Sequence, residues 1–262
     1  MPRSTYYWGM KHSADADPDA SVKAEIEKIL AVKRHRVYGS RRIVLALKQE
    51  GIDVSRNKVR RILQRMGYKA SFGTGRYNSY RGEVGKTCPN IIARNFHADN
   101  PGEKMGTDVT EFRLAFGKVY LSPVIDFYTQ RVVSYSISRH PDLKQTMDML
   151  GGLEKTGLIR PGITILHSDQ GWQYRHKMYQ SWVLGHGIRQ SMSRRGNCLD
   201  NSPTENFFGL LKKEMFYGRE YEYKDYPSFR KALEKYIGWY NSERIKLRLR
   251  MSPDQYQSTS SA

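Results

Sequence analysis

Three runs between residues 105 and 139, "MGTDVTEFRL", "KVYLSPVIDF" and "RVVSYSISR", restrict this chain more than any other feature. Each is rich in β-branched and aromatic residues, and only three residues separate one run from the next. So short a connector lets a strand return only antiparallel, because a parallel return needs a crossover of a dozen residues or more. The runs therefore predict an antiparallel meander. Beyond it the pattern alternates: a helix over 143–154, the short strand "ITILHSD", a helix over 174–184, a short strand near "IRQSM", a Gly/Asn loop, and long helices over 203–216 and 227–240. A meander followed by alternating helices and strands is the pattern of a mixed α/β layered domain.

The preceding segment is of another kind. Residues 21–86 hold 17 Lys or Arg against 5 Asp or Glu, and their apolar spacing is helical. Val22, Ile26, Ile29 and Leu30 form one stripe after Asp19 and Ser21, and Ile43, Val44 and Leu47 form a second after Ser40, ending at Gly51. In "VSRNKVRRILQRMGY", Ser55 can cap a third helix whose stripe is Val59, Ile62, Leu63 and Met66. Arg56, Asn57, Lys58, Arg60 and Arg61 fall mostly on its other side. This is the arrangement of a helix-turn-helix with a DNA-binding second helix, and equally that of a small bundle with a solvated basic face. The organisation read from these changes is an N-terminal extension (1–20), a helix-turn-helix DNA-binding domain (21–68), a basic linker rich in Gly, Arg and Tyr (69–97), an α/β catalytic domain (98–256) and a tail (257–262).

Charge narrows the partners. The 44 Lys and Arg against 26 Asp and Glu give a net charge of +18 and a pI near 9.8, so the mean field of the protein attracts polyanions, nucleic acid first. No apolar stretch approaches the roughly 18–20 residues that span a bilayer, and the N-terminus lacks a signal-peptide block. A cytoplasmic protein with no membrane partner is expected. The two cysteines, Cys88 and Cys198, stand 110 positions apart, so neither a disulfide framework nor a Cys-x-x-Cys zinc pair is available.

Within the α/β domain, Asp108 is expected in the first strand, Asp169 at the end of the fourth, and Glu205 at the start of a helix. Strand ends in such sheets leave side chains free while the sheet fixes their origin. Three carboxylates gathered there would repel one another and resist ionisation unless cations neutralised them, which implies Mg²⁺ or Mn²⁺, hard ions that prefer oxygen ligands. Two such ions about 3.5–4 Å apart activate a water or hydroxyl and stabilise the leaving oxygen in phosphoryl transfer. Each acid also has a plainer reading. Asp108 can pair with a linker arginine, and "SPTE" (202–205) fits a capping box in which Glu205 folds back on its own helix. Asp126, ending the second strand, is a possible neighbour of Asp108 rather than a ligand; Asp200 lies in the Gly/Asn loop, and Glu111 falls on the opposite sheet face from Asp108. His167 shares a face with Asp169 and is read either as a positioning group or as a structural histidine.

The blocks "TDVTEF", "HSDQGWQY" and "GNCLDNSPTENFFGLLKKE" resemble the three signatures of the D-D-E transposases and retroviral integrases, in particular the OrfB product of the insertion-sequence IS-three family. The 35 residues between Asp169 and Glu205 match that group's spacing, and Lys212 stands where the family carries a basic residue. "YGSRRIVLALKQEG" and "YIGWYNSERIKLRLRMSPDQY" resemble the family's upstream helix-turn-helix and its closing segment, with Lys246 replacing a family histidine. The resemblance implies a ribonuclease-H-like fold, a mixed five-stranded sheet flanked by helices and preceded by a small all-α helix-turn-helix domain. It implies Asp108, Asp169 and Glu205 as catalytic residues and as ligands of, in all, two Mg²⁺ or Mn²⁺ ions, with Lys212 holding a DNA phosphate near them. Arg56, Asn57, Lys58, Arg60 and Arg61 are the DNA contacts of the helix-turn-helix reading, and Arg194 and Arg195, in the loop before the helix of Glu205, read either as a DNA-contact loop or as a solvated charge pair. It further implies metal-dependent cleavage at element ends and strand transfer, with double-stranded DNA (terminal inverted repeats and target), further copies of the chain and an OrfA product or fusion as partners. A regulatory DNA-binding protein without catalysis and a structure-specific ribonuclease-H-like nuclease are the rival classes. Tyrosine-nucleophile recombination lacks its arginine and histidine constellation.

Overall fold

The computed structural model of the chain describes residues 18–71, 87–194 and 198–260. It divides into two compact units, Met1–Ser71 and Phe72–Ala262, taken here in turn.

The first unit is helical. It consists of α1 (Ala20–Ala31), a 3-10 turn (Lys33–Val37), α2 (Ser40–Gln49) and α3 (Arg56–Arg65). The predicted stripes supply its core: Ile26, Ile43, Leu47, Val59 and Ile62 are all buried. Ser55 caps α3, its hydroxyl accepting the Lys58 N–H at 3.2 Å, a contact typically worth about 1 kcal/mol. Gly51, at φ +78°, stops α2 in the left-handed conformation that glycine adopts without strain.

The second unit is a mixed sheet of β1 (Lys104–Thr107), β2 (Thr110–Leu114), β3 (Gly117–Asp126), β4 (Val132–Ser138), β5 (Ile165–Ser168) and β6 (Arg189–Met192). Its helices are α4 (Leu143–Glu154), α5 (Trp172–Arg175), α6 (Lys177–Gly185), α7 (Ser202–Leu211), α8 (Tyr226–Ser242) and α9 (Pro253–Ser260). Five strands were expected and six are present among the described residues. The two counts agree once the register is read: Thr107 faces Val124 and Thr110 faces Leu121, so β1 and β2 pair with β3 as one strand interrupted at Asp108–Val109. The interruption has a local cause, because Asp108 Oδ1 accepts the Val109 N–H at 2.7 Å, a side-chain bond that competes with the ladder. Asp108 is therefore at a break, not within a strand. β4 lies outside β3, and β5 and β6 continue on the other side, both pairs running parallel outward from β1.

Two predicted helices are also interrupted. That over 174–184 breaks at His176, whose ring nitrogen accepts the Met178 N–H at 3.2 Å and so caps α6. The helix over 203–216 is α-helical to Leu211 and then forms a π-turn over Lys212–Phe216.

Each sheet face has its own cover. Met105, Val124 and Leu166 pack with Met149, Leu150 and Leu153 of α4 and with Tyr174, Tyr179 and Val183 beyond β5. On the other face, Phe112 meets Phe216 and Phe229 edge-on, with ring centroids 5.1 and 5.2 Å apart. Gly106 decides how closely α7 approaches this face: a Cβ there would lie 2.6 Å from both Thr204 Oγ1 and the Phe127 ring. Among the described residues no helix is long and apolar enough to cross a membrane.

Candidate active site

β1 and β5 are adjacent and parallel, with Lys104 opposite Ile165, Met105 opposite Leu166 and Gly106 opposite His167. Asp108 and Asp169 each come two residues after the Gly106–His167 pair, just past the C-terminal end of their strands. Neighbouring strands lie about 4.8 Å apart, and side chains at alternate positions share a face. Gly106 and its partner His167 thus share the face that α7 covers, and Asp108 and Asp169 follow them just beyond the strand ends. Glu205 is in the first turn of α7, one residue after the Thr204 that Gly106 admits.

Electrostatics ties the acids together. Burial raises the pKa of Asp169, opposed by the Gly171 N–H on its Oδ1 (2.8 Å) and by the Arg175 guanidinium. Burial also raises the pKa of Glu205, and the charge of Asp169 raises it further. The buried Tyr174 phenol is held in its neutral form chiefly by burial, then by the fields of Asp108 and Asp169. These are oxygen donors that resist ionisation without a counter-charge, a chemistry that suits a hard divalent cation. Among the described residues, no three acids, histidines or cysteines are close enough together to form a metal-binding group. Asp108 and Asp169 follow adjacent strand ends, and Glu205 lies in the field of Asp169 without closing a ligand set.

The capping box does not form. Asn201, not Ser202, precedes α7, and its side chain makes no capping hydrogen bond. Lys212 is buried: its ammonium donates to the Glu111 carbonyl at 2.9 Å and lies 5.2 Å from the centre of the Phe112 ring. Burial lowers its pKa to about 8 against the opposing charges of Glu111 and Asp108, which places the cation in the field of the candidate site.

The other acids have separate work. Asp126, fully buried, accepts the Gly102 N–H (2.9 Å) and both the N–H and hydroxyl of Thr129 (2.8 and 2.7 Å); it pairs with Met105, three residues before Asp108. Glu111 joins Arg113 at 2.6 Å, Lys118 at 3.0 Å and the Tyr120 hydroxyl at 3.0 Å. Asp200 accepts from Arg94, Arg194 and Asn90 at 2.8–3.1 Å, and the Arg194 hydrogen bonds, first among several causes, hold its carboxyl far below the ordinary range. Arg194 thereby anchors the turn before α7 while its side chain stays 61% exposed. Arg195 lies outside the described residues. His167 is fully buried, its Nδ1 is 2.8 Å from the Ser191 hydroxyl, and burial lowers its pKa to about 4.

In the first unit, α3 presents Arg56, Asn57 and Arg60 to solvent, whereas Lys58 and Arg61 approach Asp19 at 3.0 and 3.5 Å. Neither this pairing nor the place of Tyr174 and Arg175 beside the strand-end acids is legible in the local sequence pattern. Tyr174 closes the "HSDQGWQY" block, the one signal that could have drawn attention to it.

A ribonuclease-H-like sheet with acids at the ends of its central parallel strands, preceded by a small helical unit, defines the class of integrase-core proteins. The integrase core domain family matches residues 98–198, a second family of the same description matches 205–260, and the HTH-like domain family matches 17–73. The InsK protein of insertion sequence element IS150 of Escherichia coli K12 is 45% identical over 98% of this chain and 90% of its own length. A transposase-like protein of Haemophilus influenzae is 42% identical over 81% of this chain and 97% of its own. The chain belongs to the insertion-sequence transposases with an integrase core, proteins of DNA recombination. At the level of fold alone, the chain is similar to a subunit of the simian T-cell lymphotropic virus intasome (TM-score 0.53, 15% identity, 82% of this chain and 70% of that one). It is similar in the same sense to the catalytic core of HTLV-2 integrase in complex with magnesium (TM-score 0.51, 15% identity, 62% and 99%).

Proposed function

We propose that this transposase cuts DNA at element ends and joins the liberated 3′-hydroxyl to target DNA, with Asp108, Asp169 and Glu205 as its catalytic acids. The observation that carries the reading is the placement of Asp108 and Asp169 just past the C-terminal ends of two adjacent parallel strands, with Glu205 in the field of Asp169. The three carboxylates would hold Mg²⁺ or Mn²⁺, which when bound activates the attacking oxygen and stabilises the leaving one. The sheet fixes the origins of the two aspartates; α7 brings the third acid over the face that Gly106 leaves open. Lys212, anchored on the Glu111 carbonyl, adds positive charge on the Asp108 side, where the scissile phosphate would lie. The exposed cations of α3 grip duplex DNA and help fix its register. Terminal inverted repeats and target DNA as substrates, assembly of several copies on DNA, and an OrfA partner belong to the same proposal and rest on the family.

Glu205→Gln tests it. The change preserves size and removes the charge. Purified variant and wild type are compared in a strand-transfer assay in Mg²⁺, beside a DNA-binding titration. Collapse of cleavage and joining with binding retained is expected, together with a stability change of about 1 kcal/mol or less, the scale of altering a helix terminus. Near-wild-type joining rejects the mechanism, and cutting by the wild type without joining favours a nuclease.

A further inference from the structure

A cleft of about 60 Å³ has an apolar wall of Phe96, Ile125 and Phe127 and is otherwise lined by Pro203 and Asn206 of α7, Asp126, Gln130, Tyr240, Lys246 and Arg248. Its cations come from the loop after α8. Lys246 is only 8% exposed, its ammonium 2.9 Å from the Tyr240 hydroxyl and 4.9 Å from the centre of that ring. The loop that carries it is fixed on itself, Lys246 N–H donating to the Met251 carbonyl (3.0 Å) and Arg250 N–H to the Lys246 carbonyl (2.7 Å). Arg250 adopts φ +63° to make that turn. Opposite stands the first turn of α7, a ten-residue helix whose N-cap Asn201 provides no side-chain cap. Such a terminus carries partial positive charge, although Pro203, its residue in the lining, has no N–H to donate. Gln130, held at φ +57° with its carbonyl accepting from the Tyr240 hydroxyl (3.1 Å), is a strained non-glycine residue on the same lining. One acid, Asp126, also borders the cleft, but both its oxygens are engaged by Gly102 and Thr129.

We propose that this cleft is a phosphate subsite, in which Lys246 and Arg248 hold one backbone phosphate of the bound DNA. A phosphate group can replace a few waters in a space of this size. The subsite shares α7 with Glu205, so a phosphate seated there would fix the strand relative to that acid. This inference rests on DNA being the substrate of the neighbouring site, and it assigns to two cations of the closing loop a contact beyond the proposed reaction.

The test is the salt dependence of binding of a duplex oligonucleotide by the full chain in EDTA, which separates binding from chemistry. Lys246→Gln and Arg248→Gln should each make the slope of log K against log salt shallower by about one unit, the counterion release of one phosphate contact. Lys246→Arg should keep the wild-type slope. Lys231→Gln, an exposed cation of α8 outside the cleft, serves as control and should change nothing. Slopes for the two glutamine variants equal to the control overturn the subsite; so does loss of slope in Lys246→Arg as large as in Lys246→Gln, which would mark a role in packing against Tyr240. Absence of duplex binding by the wild type overturns both the DNA reading and the subsite. A shallower slope in the variants of a wild type that binds but does not join strands upholds the subsite and rejects the proposed reaction alone.

Discussion

Asp200 and Glu214 are buried as deeply as Asp108, at 0%, 6% and 8% exposure, yet they are held in a different way. Asp200 is clasped by Arg94 and Arg194. Glu214 receives two bonds from Arg244, through Nε at 2.8 Å and Nη2 at 2.5 Å, and a third from the Tyr236 hydroxyl at 2.8 Å. Asp108 accepts the Val109 N–H and Asp169 the Gly171 N–H. Asp200 and Glu214 are bonded directly by guanidinium groups, whereas burial leaves the carboxyls of Asp169, despite the charge of Arg175, and of Glu205 with raised pKa. A paired acid locks a fold, and an acid raised by burial beside another acid is prepared for a cation that arrives later. The difference separates the structural acids of this unit from its candidate catalytic ones.

The sharpest way to break the comparison is to remove a charge from each group. Asp169→Asn should reduce strand transfer in Mg²⁺ by roughly 10³-fold or more, the scale at which removing one group that stabilises the transition state is felt. Its melting temperature should not fall, because the variant removes a desolvated charge that has an acidic neighbour. A melting temperature lowered by many degrees with activity retained would place Asp169 among the structural acids.

Glu214→Gln should do the reverse. Removing one partner leaves the Arg244 guanidinium, 1% exposed, without its counter-charge, at a cost of about 3–5 kcal/mol in urea unfolding. A loss below about 1 kcal/mol, the level of an exposed pair, would remove Glu214 from the structural group.

How much of this was legible beforehand depended on whether local pattern or tertiary pairing decided the outcome. The meander, the three helices of the first unit and the interrupted strand's total span followed from alternation and caps, which are local. The break at Asp108 was not legible, since it arises from one side-chain bond to the next N–H. The three acids stood out by spacing and by placement at element ends, but nothing local distinguished Asp200 from them: the partners Arg94 and Arg194 that satisfy it meet it only in the folded chain. Lys212 was read as facing DNA, and its burial against Phe112 depends on where the π-turn sets it. The cations of α3 were grouped on one face because helical periodicity shows what is buried and is silent about an acid 39 or more positions upstream, at Asp19.

A smaller effect is expected at Asp200. Asp200→Asn keeps the volume and weakens the contacts to both arginines, at a cost of about 1–3 kcal/mol near neutral pH. The sign of its pH dependence follows from the lowered carboxyl. The stabilisation is present above the ordinary carboxylate range and is lost as pH falls from about 4 toward the depressed folded value. Urea midpoints of wild type and variant should therefore converge on acidification. A gap that stays constant below pH 4 would show that the arginines contribute through packing rather than through the ionised carboxylate.

The smallest effect extends the comparison to the helical unit, where Asp19 is the paired acid. Lys58, Arg61 and Arg65 lie 3.0, 3.5 and 3.2 Å from its carboxylate, and the hydrogen bond from Lys58, the largest of the causes, lowers its pKa. These cations already have an internal anion nearby, so a DNA phosphate gains less from them than from Arg56 and Arg60 on the solvent side of the same helix. Arg56→Gln and Arg60→Gln should each flatten the salt dependence of duplex binding by about one unit, while Lys58→Gln and Arg61→Gln should each change it by less than half of that. Asp19→Asn should steepen the slope, because it releases the three cations to the phosphates. Equal losses at all four cations, with no response to Asp19→Asn, would show that the carboxylate does not compete with DNA and that α3 presents a single uniform basic face.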